Sequence, residues 1–107
     1  MPLGSKQIDS SGYVRVKVVV GKGRWLPEHV LVMSRIVGRV LQRGEIVHHI
    51  NGVRDDNRES NLYLCRDHAH HMDIERSLST AFRRLLDVGY ARFNHDTGEY
   101  EAILRTT

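Results

Sequence analysis

Five of the seven histidines in this chain lie between residues 48 and 71. They form an adjacent pair, His48 and His49, and a later cluster of His68, His70 and His71, with a polar, asparagine-rich segment between them. Because neighbouring residues on a β-strand point to opposite faces, the two members of the pair are not expected to face one ion together. The chain therefore has to bring a segment carrying the pair against a segment carrying the cluster.

The residues around the histidines predict a strand, a loop, a second strand and a helix, in that order. Residues 45–50 are β-prone, Asn51-Gly52 is a turn dipeptide, residues 55–60 form a polar loop, and residues 62–65 are β-prone again. Asp67 is suited to cap a helix, because the apolar residues from about 68 to 86 recur mainly at helical spacing.

The flanking segments predict further elements. Residues 12–20 alternate apolar and basic side chains before the glycine-rich turn at residues 21–23, which indicates a β-hairpin with one basic face. Apolar residues then recur at spacings of three and four, which predicts an amphipathic helix from Pro27 to Leu41 that ends near Gly44. A second hairpin is expected between residues 89 and 103.

Length and composition favour one domain without disulfides. A chain of 107 residues with 40% apolar content is long enough for one core, so we expect a single domain over residues 6–107. Residues 1–5 resemble a protease-site remnant of an expression vector and are left out of the predicted fold. Cys65 is the only cysteine, and no apolar run reaches the roughly 18 residues of a membrane helix. A cytoplasmic protein with no membrane partner is predicted.

The charge distribution leaves two interpretations open. The net charge is only +3, but residues 13–44 contain Glu28 as their only acidic residue. This stretch either faces a polyanion such as nucleic acid or is a solvated helix face beside a basic hairpin. Its basic residues are Arg15, Lys17, Lys22, Arg24, Arg35, Arg39 and Arg43.

The histidine pair is suited to two different roles. One imidazole can bind a divalent metal ion while the other, neutral near pH 7, accepts a proton from water. On a helix that starts near Asp67, His71 aligns with His68 or with Glu75, whereas His70 points about 100° away from His71. His29 and His95 are interpreted as ordinary surface or core histidines.

The sequence resembles the HNH endonuclease pattern found in many phage proteins. The resemblance is carried by His48-His49-Ile50-Asn51-Gly52, by residues 56–62 (Asp-Asn-Arg-Glu-Ser-Asn-Leu) and by His71-Met72. It implies an α+β fold, in which an N-terminal β-hairpin and helix precede a ββα-metal (His-Me finger) core at about residues 45–80. A C-terminal β-hairpin follows this core.

The resemblance also implies roles for particular residues. His48 takes the position of a metal ligand, His49 that of the general base, and Asn61 that of the asparagine that braces the loop and helps to orient the base. The second metal ligand falls on His71, although other members of the family would place it at His70. Glu75 follows one helical turn later, so its carboxylate favours Mg²⁺ or Mn²⁺ as the single divalent ion, with Ni²⁺ or Zn²⁺ as alternatives.

The implied reaction is hydrolysis of a phosphodiester bond in double-stranded DNA. The family's ββα element contacts the phosphate backbone and enters the minor groove, and in so short a chain we expect nicking by a monomer with low sequence specificity. Arg58 and Arg66 are candidates for holding the phosphate. A phage-infected or bacterial host cell is the expected setting, again from the resemblance.

Two other functions remain possible from the sequence. A DNA-binding protein that kept the fold without catalysis would bind DNA equally well after His49→Ala and would not cut it with any ion. A structural zinc protein using Cys65 and several histidines would unfold on chelation. The chain has no Cys-x-x-Cys pair, which closed zinc sites commonly use.

Overall fold

The computed structural model describes residues 2–18 and 24–104. Within them the chain is α+β, as predicted, with two α-helices and three antiparallel sheets. The chain divides into two compact units, residues 1–71 and residues 72–107. The longer helix begins in the first unit and continues in the second. The assignment of residues 6–107 to a single domain stays a prediction. No helix in the described ranges is long and apolar enough to cross a membrane.

The first unit opens with a three-stranded sheet in the order β1 (Lys6–Ile8), β2 (Val14–Lys17) and β3 (Trp25–Pro27). The sequence predicted only the β2–β3 hairpin, and its glycine-rich turn at residues 21–23 lies outside the described residues. The additional strand, β1, pairs Ile8 with Val14. Backbone bonds continue this pairing, because Gly4 N donates to Lys17 O at 2.9 Å.

The first helix, α1, spans Glu28–Val37. The prediction that it continues to Leu41 is wrong, because Gly38 takes a left-handed conformation (φ 72°) and its N–H bonds to Ser34 O, which ends the helix. Val40 is consequently 86% exposed, although Leu41 still packs beside the core.

The segment after α1 is tied down by Glu45. Its carboxylate accepts two hydrogen bonds from Arg39, at 2.7 and 2.9 Å, and another from Gln42 N. Arg39 and the backbone bond hold the pKa of Glu45 down to about 2. The polar link between α1 and the next strand is therefore an ordered turn.

Strands β4 (Ile46–His49) and β5 (Leu62–Cys65) form the antiparallel ribbon predicted around the histidine pair. One face of the ribbon carries Val47 and Leu64 against the core residues Val32 and Met33 of α1. Since alternate residues face opposite ways, His49 shares the face of Val47, and His48 lies on the other face beside its partner Tyr63. The ribbon thus separates the two histidines, as predicted.

The second helix, α2, spans His68–Asp87, close to the predicted range. Asp67 caps it as predicted, because its Oδ1 accepts a hydrogen bond from His70 N at 2.8 Å. The first turn of α2 belongs to the first unit.

The second unit contains the rest of α2 and the predicted C-terminal hairpin, β6 (Ala91–Asn94) and β7 (Glu99–Ala102). Gly98 has a positive φ of 74° in the turn between the strands. The rings of Phe82, Phe93 and Tyr100 pack edge to face. These aromatic contacts hold the hairpin to the helix within this unit.

Candidate active site

His48 and His71 are brought together by the β4–β5 ribbon and the first turn of α2. His48 Nδ1 and His71 Nε2 lie 3.3 Å apart, although the two residues are 23 positions apart in sequence. Two imidazole nitrogens bound at about 2.0–2.1 Å to one tetrahedral ion are roughly 3.3 Å apart. The spacing of the two nitrogens is therefore compatible with a shared metal ion.

Glu75 extends this pair. It follows His71 by four residues in α2, so the helix places both side chains on one face. Nitrogen atoms of His48 and His71 and a carboxylate oxygen of Glu75 lie within 4.8 Å of one another. Two imidazoles and a carboxylate form a donor set that fits Mn²⁺, Zn²⁺ or Ni²⁺, with the carboxylate also suited to Mg²⁺.

The neighbouring histidines have other surroundings. His70 Nδ1 accepts a hydrogen bond from Arg66 N at 3.0 Å, and its ring packs edge-on against Tyr63. His68 is exposed at the start of the helix. Of the three clustered histidines, the structure thus brings His71 to His48. Cys65 is buried and belongs to no metal-ligand group within the described ranges, which argues against the structural zinc site.

His49 lies on the opposite face of the ribbon, where its ring packs against two other rings. It is buried, with 8% of its surface exposed. The ring of His29 on α1 meets it edge-on at 5.3 Å between centroids, and the ring of Tyr13, which also packs against His29, lies 6.1 Å away. These contacts restrict the rotation of the His49 ring.

A chain of polar contacts leads from His49 back to α1. His49 Nε2 lies 2.7 Å from Asn57 Oδ1, and Asn57 Nδ2 donates to Glu28 Oε1 at 3.0 Å. Glu28 also pairs with Lys6 Nζ at 2.6 Å. The bond from Lys6 is the main cause that lowers the pKa of Glu28, and the bond from Asn57 lowers it further.

Asn61 holds the two ends of the long loop together. Its Oδ1 accepts from Asn51 N at 3.0 Å, and its Nδ2 donates to Asn51 Oδ1 at 2.9 Å and to Asp56 O at 2.8 Å. Because Asn61 is only 5% exposed, these bonds satisfy the polar atoms of a buried side chain. The side chain therefore spans the loop between Asn51 and Asp56.

Some of the basic residues predicted to contact phosphate are buried or already paired with a carboxylate. Arg58 donates to both carboxylate oxygens of Asp56, at 2.8 and 2.7 Å, and this lowers the pKa of Asp56 well below its usual range. In the basic stretch, Lys17 is buried and Arg39 is bound to Glu45. Exposed basic residues on or near α1 include Arg24, Arg35 and Arg43. This stretch is thus not one uniform phosphate-facing surface.

Sequence reasoning missed the residues that surround His49. His29 was interpreted as ordinary, yet its ring touches that of His49, and its buried Nδ1 lacks a hydrogen-bond partner among the described residues. Burial is the main cause that lowers the pKa of His29, and the neighbouring His49 adds to it. Asn57 lies within the motif, but the sequence analysis assigned no role to it.

Comparison with known proteins bears on the same segment. Residues 27–72 match a family profile described as HNH endonuclease, and this range contains β4, β5, both histidine groups and α1. A search among curated proteins and a search among solved structures each returned no match. Over residues 27–72, the chain is therefore similar to the HNH endonuclease family.

Proposed function

We propose that this protein is a metal-dependent endonuclease that hydrolyses phosphodiester bonds in double-stranded DNA. The observation that carries the proposal is the approach of His48 Nδ1 on β4 to His71 Nε2 on α2, at 3.3 Å. The buried His49 follows His48 in the same strand. The match of residues 27–72 to the HNH endonuclease profile makes a nucleic acid the expected substrate. The β4–β5–α2 order supports a ββα-metal core.

His48 and His71 are the proposed metal ligands, with Glu75 as a third candidate one helical turn later. A divalent ion bound there would supply positive charge to the scissile phosphate and to the leaving 3′ oxygen. His49 would accept a proton from the attacking water, since a neutral imidazole is a suitable base near pH 7. Asn61 would keep the loop after His49 in place through its bonds to Asn51 and Asp56.

The finer features of the reaction are also proposals. Exposed arginines such as Arg35 and Arg66 offer contacts to the phosphate backbone. We expect the ββα element to meet the minor groove. In a chain this short we expect nicking by a monomer with low sequence specificity. Mg²⁺ or Mn²⁺ is the expected ion, and a phage or bacterial setting is the expected origin.

Conversion of supercoiled plasmid to the open circle tests the proposal. Wild type, His49→Ala and the matched control His95→Ala are incubated with Mg²⁺, Mn²⁺, Ni²⁺, Zn²⁺ or chelator, and circular dichroism checks their fold. We expect wild type and the control to nick only with metal. His49→Ala should lose roughly 10²–10⁴-fold in rate, the usual contribution of a general base.

The competing function is DNA binding without catalysis. A folded wild type that binds plasmid but cuts it with none of these ions would establish that alternative and overturn the nuclease proposal. Cleavage that persists in chelator would contradict the metal requirement alone. A His49→Ala protein that cuts as fast as wild type would remove His49 from the role of base.

A further inference from the structure

The contacts behind His49 determine which of its ring nitrogens carries the proton. A neutral imidazole has one N–H and one acceptor nitrogen, and the choice between them follows from its hydrogen-bond partners. Nε2 of His49 lies 2.7 Å from the side-chain amide of Asn57. Asn57 can present either an oxygen or an NH₂ group at this point, so its own partner decides the orientation of the amide.

That partner is Glu28. An ionised carboxylate accepts hydrogen bonds and donates none, so the group of Asn57 that faces Glu28 Oε1, 3.0 Å away, has to be the NH₂. Glu28 is held in the ionised form by Lys6 Nζ at 2.6 Å and stands in the first turn of α1, where the helix dipole also favours a negative charge. The amide oxygen of Asn57 is then turned to His49 and requires a donor there.

We infer that Glu28 is a positioning residue, which acts through Asn57 to hold His49 in the tautomer protonated at Nε2 and leaves Nδ1 as the nitrogen that accepts a proton. The inference rests on the proposed role of His49 as the general base. The rings of His29 and Tyr13 support it, because they hold the plane of the His49 ring while the amide fixes its direction. Glu28 itself need not touch the substrate.

The ¹⁵N chemical shifts of the two His49 ring nitrogens test this tautomer directly. Long-range ¹H–¹⁵N spectra are recorded without metal or DNA, at a pH where the ring is neutral, for wild type and Glu28→Gln. The control is Glu59→Gln, the same substitution at an exposed glutamate in the loop that also carries Asn57. We expect wild type and the control to show a protonated Nε2 and an unprotonated Nδ1.

The side-chain amide introduced by Glu28→Gln can donate as well as accept, so the Asn57 amide should lose its preferred orientation. The two His49 nitrogens of Glu28→Gln should then move toward averaged shifts. A wild-type spectrum with the proton on Nδ1, or a Glu28→Gln spectrum identical to wild type, would overturn the inference. If Glu28→Gln fails to fold, Asn57→Ala provides the same comparison, and the wild-type spectrum alone still decides the tautomer.

Plasmid cleavage separates this inference from the proposed function. We expect Glu28→Gln to lower the rate at saturating DNA by roughly 10–100-fold, as is usual when a partner that orients a functional histidine is removed, and to leave DNA affinity unchanged. An inactive wild type with the expected spectrum would contradict the nuclease proposal only. An active wild type with the proton on Nδ1 would contradict the positioning role only.

Discussion

At the scale of single residues, the buried side chain of Asn61 bonds to two backbone groups of the long loop, Asn51 N and Asp56 O. Replacing Asn61, which is 5% exposed, by alanine would leave Asn51 N and Asp56 O without this partner. We expect Asn61→Ala to lower the free energy of unfolding by about 1–3 kcal/mol, the usual cost of stranding a buried polar group. Urea unfolding measures this, with the exposed neighbour Ser60→Ala as the control. Equal stability of the two variants would contradict the bracing role.

The pH dependence of stability should report His29. Burial, with a smaller contribution from His49, lowers the pKa of His29, so the folded protein binds this proton less readily than the unfolded chain. The contribution of neutral, buried His29 to the free energy of unfolding is fully present above the unfolded pKa of about 6.5. It is lost as pH falls from there through the lower pKa of the folded state.

Replacing His29 by phenylalanine tests this dependence, because a ring remains but no proton binds. We expect His29→Phe to flatten the decline in the free energy of unfolding as pH falls below about 6.5. Urea unfolding between pH 5 and 8 makes the measurement, and the exposed His95→Phe is the control. A wild-type curve that does not decline in this range would contradict the lowered pKa.

The sequence was informative about some site residues and silent about others for a physical reason. The roles of His48, His49, Asn61 and His71 were implied by the resemblance to the HNH motif, and the structure places the nitrogens of His48 and His71 together. Asn57 and His29 gain their meaning only when α1 packs against the loop after β4. That packing joins residues 29 positions apart in the case of Glu28 and Asn57, which no periodicity in the sequence records.

At the scale of elements, the end of α1 depends on one glycine. Gly38 has a φ of 72°, and a Cβ built on it would meet nothing within 4 Å, so a side chain there costs backbone strain and not collision. We expect Gly38→Ala to destabilise the protein by about 1 kcal/mol.

Asparagine is the matched control at this position, because it adopts the left-handed region more readily than alanine. Thermal or urea unfolding should therefore rank wild type first, Gly38→Asn second and Gly38→Ala last. A Gly38→Ala protein as stable as wild type would mean that the helix does not need its left-handed end.

The same glycine explains why the helix was predicted too long. Val40 and Leu41 continue the apolar spacing of α1, and the periodicity alone therefore extends the helix to Leu41. The left-handed Gly38 ends it, and the Arg39–Glu45 pair then orders the turn that leads to β4. Strand β1 was missed for a similar reason, since three residues carry too little pattern to predict a strand without its partner β2.

At the scale of the whole molecule, the proposed metal site and the hydrophobic core are separate sources of stability. The core consists of Val32, Met33 and Leu62 with neighbouring apolar side chains, and none of these is a candidate ligand. A chelator should therefore leave the far-ultraviolet circular dichroism nearly unchanged. Unfolding on chelation would favour the structural zinc interpretation.

Bound metal should nevertheless add to stability, by an amount that rises with the logarithm of its concentration above the Kd. An ion that binds only the folded protein stabilises it by about 2.7 kcal/mol at a concentration of 100 times its Kd. We expect Mn²⁺ or Zn²⁺ to raise the urea midpoint of wild type and of His68→Ala, whose exposed ring lies outside the ligand group. His71→Ala should lose most of this rise, because it removes one of two nitrogens that lie 3.3 Å apart. A rise that survives in His71→Ala and disappears in His68→Ala would move the ligand to the first residue of α2.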